Sequence, residues 1–135
     1  MSKAQVFTWP IRVYFQDTDA GGVVYHASYV NFMERARTEW LRGHGYSNAG
    51  LMKKFGMVFV VRSMKLDYLK PALLDDMLDV TAQIKDLGRS RIKLLQKVHR
   101  GDELLHEAEV HLVCVSLESF KPVAVPEVLR VELKK

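Results

Sequence analysis

Apolar residues repeat at helical spacing from residue 29 to 55 and at strand spacing beyond it, and that change of period leaves few folds open to the chain. Tyr29, Phe32, Met33, Ala36 and Trp40 recur every three or four residues, which lays one apolar stripe along a helix of about four turns. Ser28 is the expected N-cap and Gly43-His44-Gly45 the stop, so the helix is predicted over 29–42. Ser47 caps a second, short helix that reaches Lys54 and Phe55 and ends at Gly56. Residues 58–68, 77–87, 91–100 and 104–115 then read as four strands, punctuated at Lys70-Pro71, Gly88-Arg89 and Gly101-Asp102. Upstream, Val6, Trp9, Ile11, Val13 and Phe15 give the mostly alternating pattern of a half-buried strand. Pro122 and Pro126 restrict a tail in which Val128, Leu129 and Val131 suit a short helix. One strand, one long helix and four consecutive strands define an α+β chain in which an antiparallel sheet covers the helix stripe.

At 135 residues, without an internal repeat or linker, the chain is expected to form a single domain over 1–135. Its 20 basic and 16 acidic side chains leave +4. The basic residues are dispersed and form no nucleic-acid recognition motif, so no nucleic-acid partner is expected. The first residues lack a secretory apolar core, and no run approaches the roughly 18 apolar residues of a membrane span, so a soluble cytoplasmic protein is expected. Cys114, the only cysteine, has no internal disulfide partner. It continues the alternation Ala108, Val110, Leu112, which predicts a buried thiol.

The chemistry concentrates in Asp17-Thr18-Asp19-Ala20-Gly21-Gly22-Val23-Val24-Tyr25-His26, where a strand meets the long helix. The segment puts a carboxylate beside a flexible turn and a helix N-terminus, whose unpaired N–H groups and partial positive charge suit a reaction that builds negative charge on oxygen. Read from the residues alone, Asp19 serves equally well as a turn residue, Asp17 as a ligand for loop N–H groups, and His26 as a local packing residue or, through its backbone N–H, as an oxyanion donor. An EF-hand reading fails, because Gly21 stands at the fifth ligand position and Ser28 at the bidentate glutamate. Ser47 does not sit in G-x-S-x-G, and His106 and His111 do not form H-E-x-x-H. No metal ligand set and no cofactor motif emerges. Arg89, Ser90 and Arg91 follow a glycine turn and suit either a phosphate or plain solvation.

The segments DTDAGGVVYHASYVNFMERAR, VFVVRSMKLDYLKPALLDDMLDV and HEAEVHLVCV together resemble the hotdog-fold acyl-CoA thioesterases related to 4-hydroxybenzoyl-CoA thioesterase, in particular their Tol-Pal-associated branch. The resemblance implies a sheet wrapped around the long helix and acyl-CoA as substrate. It implies Asp19 as the catalytic carboxylate, as nucleophile or general base, and the His26 N–H as the oxyanion donor. Arg89 and Arg91 are the implied CoA contacts. It further implies a homodimer or dimer of dimers, and a place near the inner membrane. Some relatives carry tyrosine where this chain has Phe15, so any hydroxyl role there is absent. Two rivals stand beside this reading. One is a non-catalytic acyl-CoA or lipid-binding module associated with the cell envelope, and the other is a basic interaction protein.

Overall fold

The computed structural model describes residues 5–135. Part of the N-terminal stretch judged free of a secretory core, residues 1–4, lies outside the described residues. The elements run β1 (Phe7–Arg12), a 3-10 turn (Phe15–Asp17), α1 (His26–Gly43), α2 (Asn48–Phe55), β2 (Met57–Tyr68), β3 (Met77–Leu87), β4 (Arg91–Arg100), β5 (Glu103–Ser116) and α3 (Glu127–Leu133). The strands form one antiparallel sheet in the order β1-β3-β4-β5-β2. Pro10, which has no N–H to donate, sits in β1 at one edge of the sheet, and β2 forms the other edge.

The helix stripe is buried as its spacing requires. Phe32, Met33 and Ala36 are inaccessible, and Tyr29 and Trp40 nearly so. They join one core with Leu78, Val80 and Ala82 of β3 and Ile92, Leu94 and Val98 of β4, the alternate residues that a strand presents to one face. Burying each large side chain contributes about 1.5–3 kcal/mol as an upper figure. The fully buried Gln96 stands among them with both ends of its amide paired. Gln96 Nε2 donates to the Met33 and Thr81 carbonyls at 3.1 and 3.2 Å, and its Oε1 accepts from Arg37 at 3.1 Å. This side chain fixes the helix on the sheet, because leaving such a buried amide unpaired costs about 1–3 kcal/mol.

Two sequence expectations are corrected. The helix starts at His26, with Tyr25 as N-cap, not at Tyr29 after Ser28. Ser28 lies inside the helix and is buried. Bonds from outside the helix decide this: Val24 N–H donates to the Ala72 carbonyl and Tyr25 N–H to that of Asp17, both at 2.9 Å, so the chain is held extended up to Tyr25 and released immediately after it. Phe15 does not continue the first strand. It falls in the 3-10 turn and is 80 % exposed. The second helix follows expectation, with the Ser47 hydroxyl oxygen accepting from Gly50 N–H at 3.0 Å.

Candidate active site

The loop between the 3-10 turn and α1 is tied at several points. Asp17 is buried, and its carboxylate accepts from Tyr14 N–H at 2.8 Å. Thr18 and Val24 pair as an isolated bridge. Within it, Asp19 N–H donates to the Val23 carbonyl at 3.0 Å and Gly22 N–H to the Asp19 carbonyl at 3.1 Å, closing a β-turn. Gly22 has φ of +79°, where a side chain would strain the backbone. The Asp19 side chain is exposed at this turn. Its Oδ1 accepts from Gly21 N–H at 2.9 Å, while Oδ2 has no partner among the described residues. Asp19 is therefore a turn residue and an available carboxylate at once.

The helix begins beside this turn. The first N–H groups of an α-helix have no intrahelical acceptor. Ser28 N–H turns back to the Tyr25 carbonyl at 2.9 Å, whereas the His26 N–H has no acceptor among the described residues. Asp19 and His26 line one cleft of about 230 Å³, closed on its other side by Tyr68, Leu69, Lys70 and Pro71 and floored by Tyr29. The arrangement offers an anionic oxygen and a helix N-terminus to one small, partly apolar space. That pairing can attack, or activate water against, an electrophilic carbonyl and receive the charge that forms on its oxygen.

Three aromatic rings, His26, Tyr29 and Tyr68, line the cleft, and the His106 ring packs behind them. Tyr68 packs edge-on to His26 with centroids 4.9 Å apart, and lies 5.5 Å from Tyr29 and 4.5 Å from His106. His106 is stacked on Tyr29 at 4.9 Å and is inaccessible to solvent. The Tyr29 hydroxyl oxygen accepts from Ala72 N–H at 3.0 Å, and burial pushes its pKa up. Neither ring nitrogen of His106 has an aligned partner among the described residues. Burial drives its pKa from 6.5 to about 4, against a weaker upward pull from Asp67.

This sets an acid-stability prediction. Because the native state keeps His106 neutral down to pH about 4 while the unfolded chain takes up a proton below 6.5, stability is retained above pH 6.5 and falls through that interval. The loss is on the order of 3 kcal/mol. Glu103, Glu109 and Glu132 have lowered pKa values, so their contributions fade only below their ordinary 4.5. Denaturation midpoints of wild type and His106→Leu between pH 7 and 4.5 are therefore expected to converge, or to cross in favour of the variant, as pH falls. Parallel curves would show that His106 is not neutral and buried.

At the cleft rim, Lys70 pairs with Glu103 at 2.9 Å, and Arg100 bridges Glu103 and Asp76 at 2.7 Å each. Together these ion pairs pin the segment that carries Lys70 and Pro71.

Arg89 and Arg91 lie elsewhere. Both are exposed at the β3–β4 hairpin, where Arg130 of α3 donates to the Arg89 carbonyl at 2.9 Å. Arg91 begins β4, whereas Arg100 at the end of β4 belongs to the Asp19 cleft rim. At about 3.3 Å per residue, the two sheet ends are roughly 30 Å apart. The structure brings Asp19 and His26 together, and within one chain it separates them from both arginines. Sequence reasoning assigns no site role to Tyr68, His106 or Lys70: His106 is weighed only as half of an H-E-x-x-H pair with His111, and Lys70 only as a turn residue. The even spacing from His106 to Cys114 was the available sign that His106 faces the core.

A five-stranded antiparallel sheet around one long helix, with a carboxylate turn at the helix start, is the hotdog architecture of the α+β class. The chain belongs to the thioesterase-like superfamily, whose profile matches residues 13–133. It is 48% identical over 131 residues to an acyl-CoA thioester hydrolase, YbgC, from Escherichia coli, covering 96% of this chain and 97% of that protein. An acyl-CoA thioesterase, YbgC, from Haemophilus influenzae is 43% identical over 121 residues, covering 90% and 89%. The crystal structure of a probable thioesterase from Bartonella henselae matches with a TM-score of 0.86 at 35% identity, covering 90% of this chain and 100% of that one.

Proposed function

We propose that the chain is an acyl-CoA thioester hydrolase acting as one domain, releasing a free carboxylic acid and CoA at the Asp19 cleft. The observation that carries this reading is that one cleft is lined by both Asp19, whose Oδ2 has no partner among the described residues, and His26, whose N–H has no acceptor among them. The names of the YbgC relatives support the substrate class. Asp19 attacks the thioester carbonyl to give a mixed anhydride that water then cleaves, or it deprotonates the attacking water. In either route the carbonyl oxygen gains charge and the His26 N–H receives it, a contact whose loss costs about 3–4 kcal/mol of transition-state stabilisation. The departing thiolate is stable enough to leave without a strong acid.

The CoA nucleotide is held by Arg89 and Arg91 of a second copy. β2 is an unpaired edge with Val60 and Val61 exposed, a strand that invites pairing. Met57 of β2 pairs with Ser116, near the Arg91 end of the sheet, and Tyr68 pairs with His106 at the cleft end. Antiparallel pairing of two β2 strands about a twofold axis sets the Tyr68 end of one copy beside the Met57 end of the other. The arginines of one copy then approach the Asp19 cleft of its partner. The working form is thus a homodimer or a dimer of dimers, placed in the cytoplasm near the inner membrane as the resemblance implies. No helix among the described residues is long and apolar enough to cross a membrane.

Replacing Arg89 and Arg91 together with alanine is expected to raise KM for acyl-CoA at least tenfold, since each charge-assisted phosphate contact is worth about 1.5–3 kcal/mol, with kcat nearly unchanged. An acyl-pantetheine, which lacks the nucleotide, should be hydrolysed equally by both proteins. Equal losses of kcat on both substrates would remove the arginines from CoA recognition.

A further inference from the structure

We infer that Tyr68 is a positioning residue for the His26 end of α1, acting through its ring and seated on the buried His106. The inference rests on the reading of the Asp19 cleft as a thioesterase site. The His26 N–H is useful only if the first turn of α1 stays where an oxyanion forms, and a helix end is the part of a helix most prone to fray. On one side that turn is held by the bonds of Val24 and Tyr25 to Ala72 and Asp17. On the other side Tyr68 touches it, with its ring edge-on to the His26 ring at 4.9 Å and its hydroxyl donating to the His26 carbonyl at 3.3 Å.

The two contacts are unequal. An O–H···O bond of 3.3 Å is well beyond the favoured 2.7–2.8 Å and holds weakly. The ring is supported far better. Tyr68 is the cross-strand partner of His106, whose ring lies 4.5 Å away and is itself stacked on Tyr29 of the same helix. Sheet and helix start are thereby joined through the series His26, Tyr68, His106, Tyr29. Neither ring nitrogen of His106 has an aligned partner among the described residues, which makes it costly to bury, and its flat ring packs 4.5 Å from that of Tyr68.

The test is a substitution series at Tyr68, which is 43% exposed at the end of β2 and so removable at small cost to the core. Tyr68→Phe keeps the ring and is expected to hydrolyse acyl-CoA within about threefold of wild-type kcat. Tyr68→Leu removes the ring and is expected to lose kcat by about 10–100-fold, as misplacing a reacting group by about 1 Å does, with KM within about threefold. Melting temperature is followed for each variant, and Tyr68→Met serves in place of leucine should the latter unfold. Three results overturn the inference: wild-type kcat in every variant, equal losses in Tyr68→Phe and Tyr68→Leu, which would make the hydroxyl the acting group, or a rise in KM alone, which would make Tyr68 a substrate contact. Failure of the wild-type protein to release thiol from any acyl-CoA would sink this inference together with the thioesterase reading. Activity that depends on Asp19 yet ignores Tyr68 would sink the inference alone.

Discussion

Two impaired proteins should restore one another at low acyl-CoA concentration. A preparation co-refolded from equal amounts of Asp19→Asn and Arg89→Ala/Arg91→Ala chains is expected to regain about a quarter of wild-type activity at low acyl-CoA concentration. Random pairing makes half the dimers mixed, and in each mixed dimer one of the two sites is complete. That site takes Asp19 from the chain with altered arginines and both arginines from the chain with altered Asp19. The other site lacks both. If instead each chain supplied its own arginines, no complete site could form and activity would stay at the sum of the separate variants. The separation of the two sheet ends within one chain, roughly 30 Å, is the reason the first outcome is expected. Measured at substrate well below KM, where loss of CoA binding is fully expressed, the two outcomes differ by the whole of the recovered activity.

The elements were legible where a local rule is also the global one. Residues 77–87 and 91–100 form strands over the expected spans, because Leu78, Val80 and Ala82, then Ile92, Leu94 and Val98, fall on alternate positions between turn signals, with Gln96 the one polar residue in that row. Ser47 caps as its chemistry suggests. The start of α1 was misplaced because Ser28 looks like a cap, whereas the true boundary is set by Ala72, a residue distant in sequence. Phe15 was misread for the same kind of reason. It follows the strand alternation in sequence, but the bond from Asp17 N–H to the Tyr14 carbonyl turns the chain first and leaves the ring in solvent.

The candidate site divides along the same line. Asp19, the glycine turn and the free helix start are contiguous, so a single stretch of sequence reveals them. Tyr68 and His106 are 38 positions apart in the numbering and meet only through the register of β2 with β5, which pairs them directly. No local pattern reports a cross-strand partner. The position of Arg89 and Arg91 relative to Asp19 is a matter of topology alone. Sequence alone leaves them equally suited to a phosphate or to solvent, and it does not give their place at the far end of the sheet.

The central claim is that the Asp19 carboxylate performs the cleavage, and thiol release by Asp19→Asn tests it most directly. Asparagine keeps the shape of the side chain, and its carbonyl oxygen can still accept from Gly21 N–H as Oδ1 does at 2.9 Å, so the turn and the fold should survive. It loses the negative oxygen that serves as nucleophile or base, and with it about 10²–10⁴ of the rate. With EDTA-dialysed protein and a series of acyl-CoAs of different chain lengths, wild type is expected to release CoA thiol catalytically. The variant should bind the same substrates with similar affinity, melt within a few degrees of wild type and release thiol at least a hundredfold more slowly. Near-normal thiol release by folded Asp19→Asn, or saturable acyl-CoA binding by wild type with no thiol released, would contradict the account.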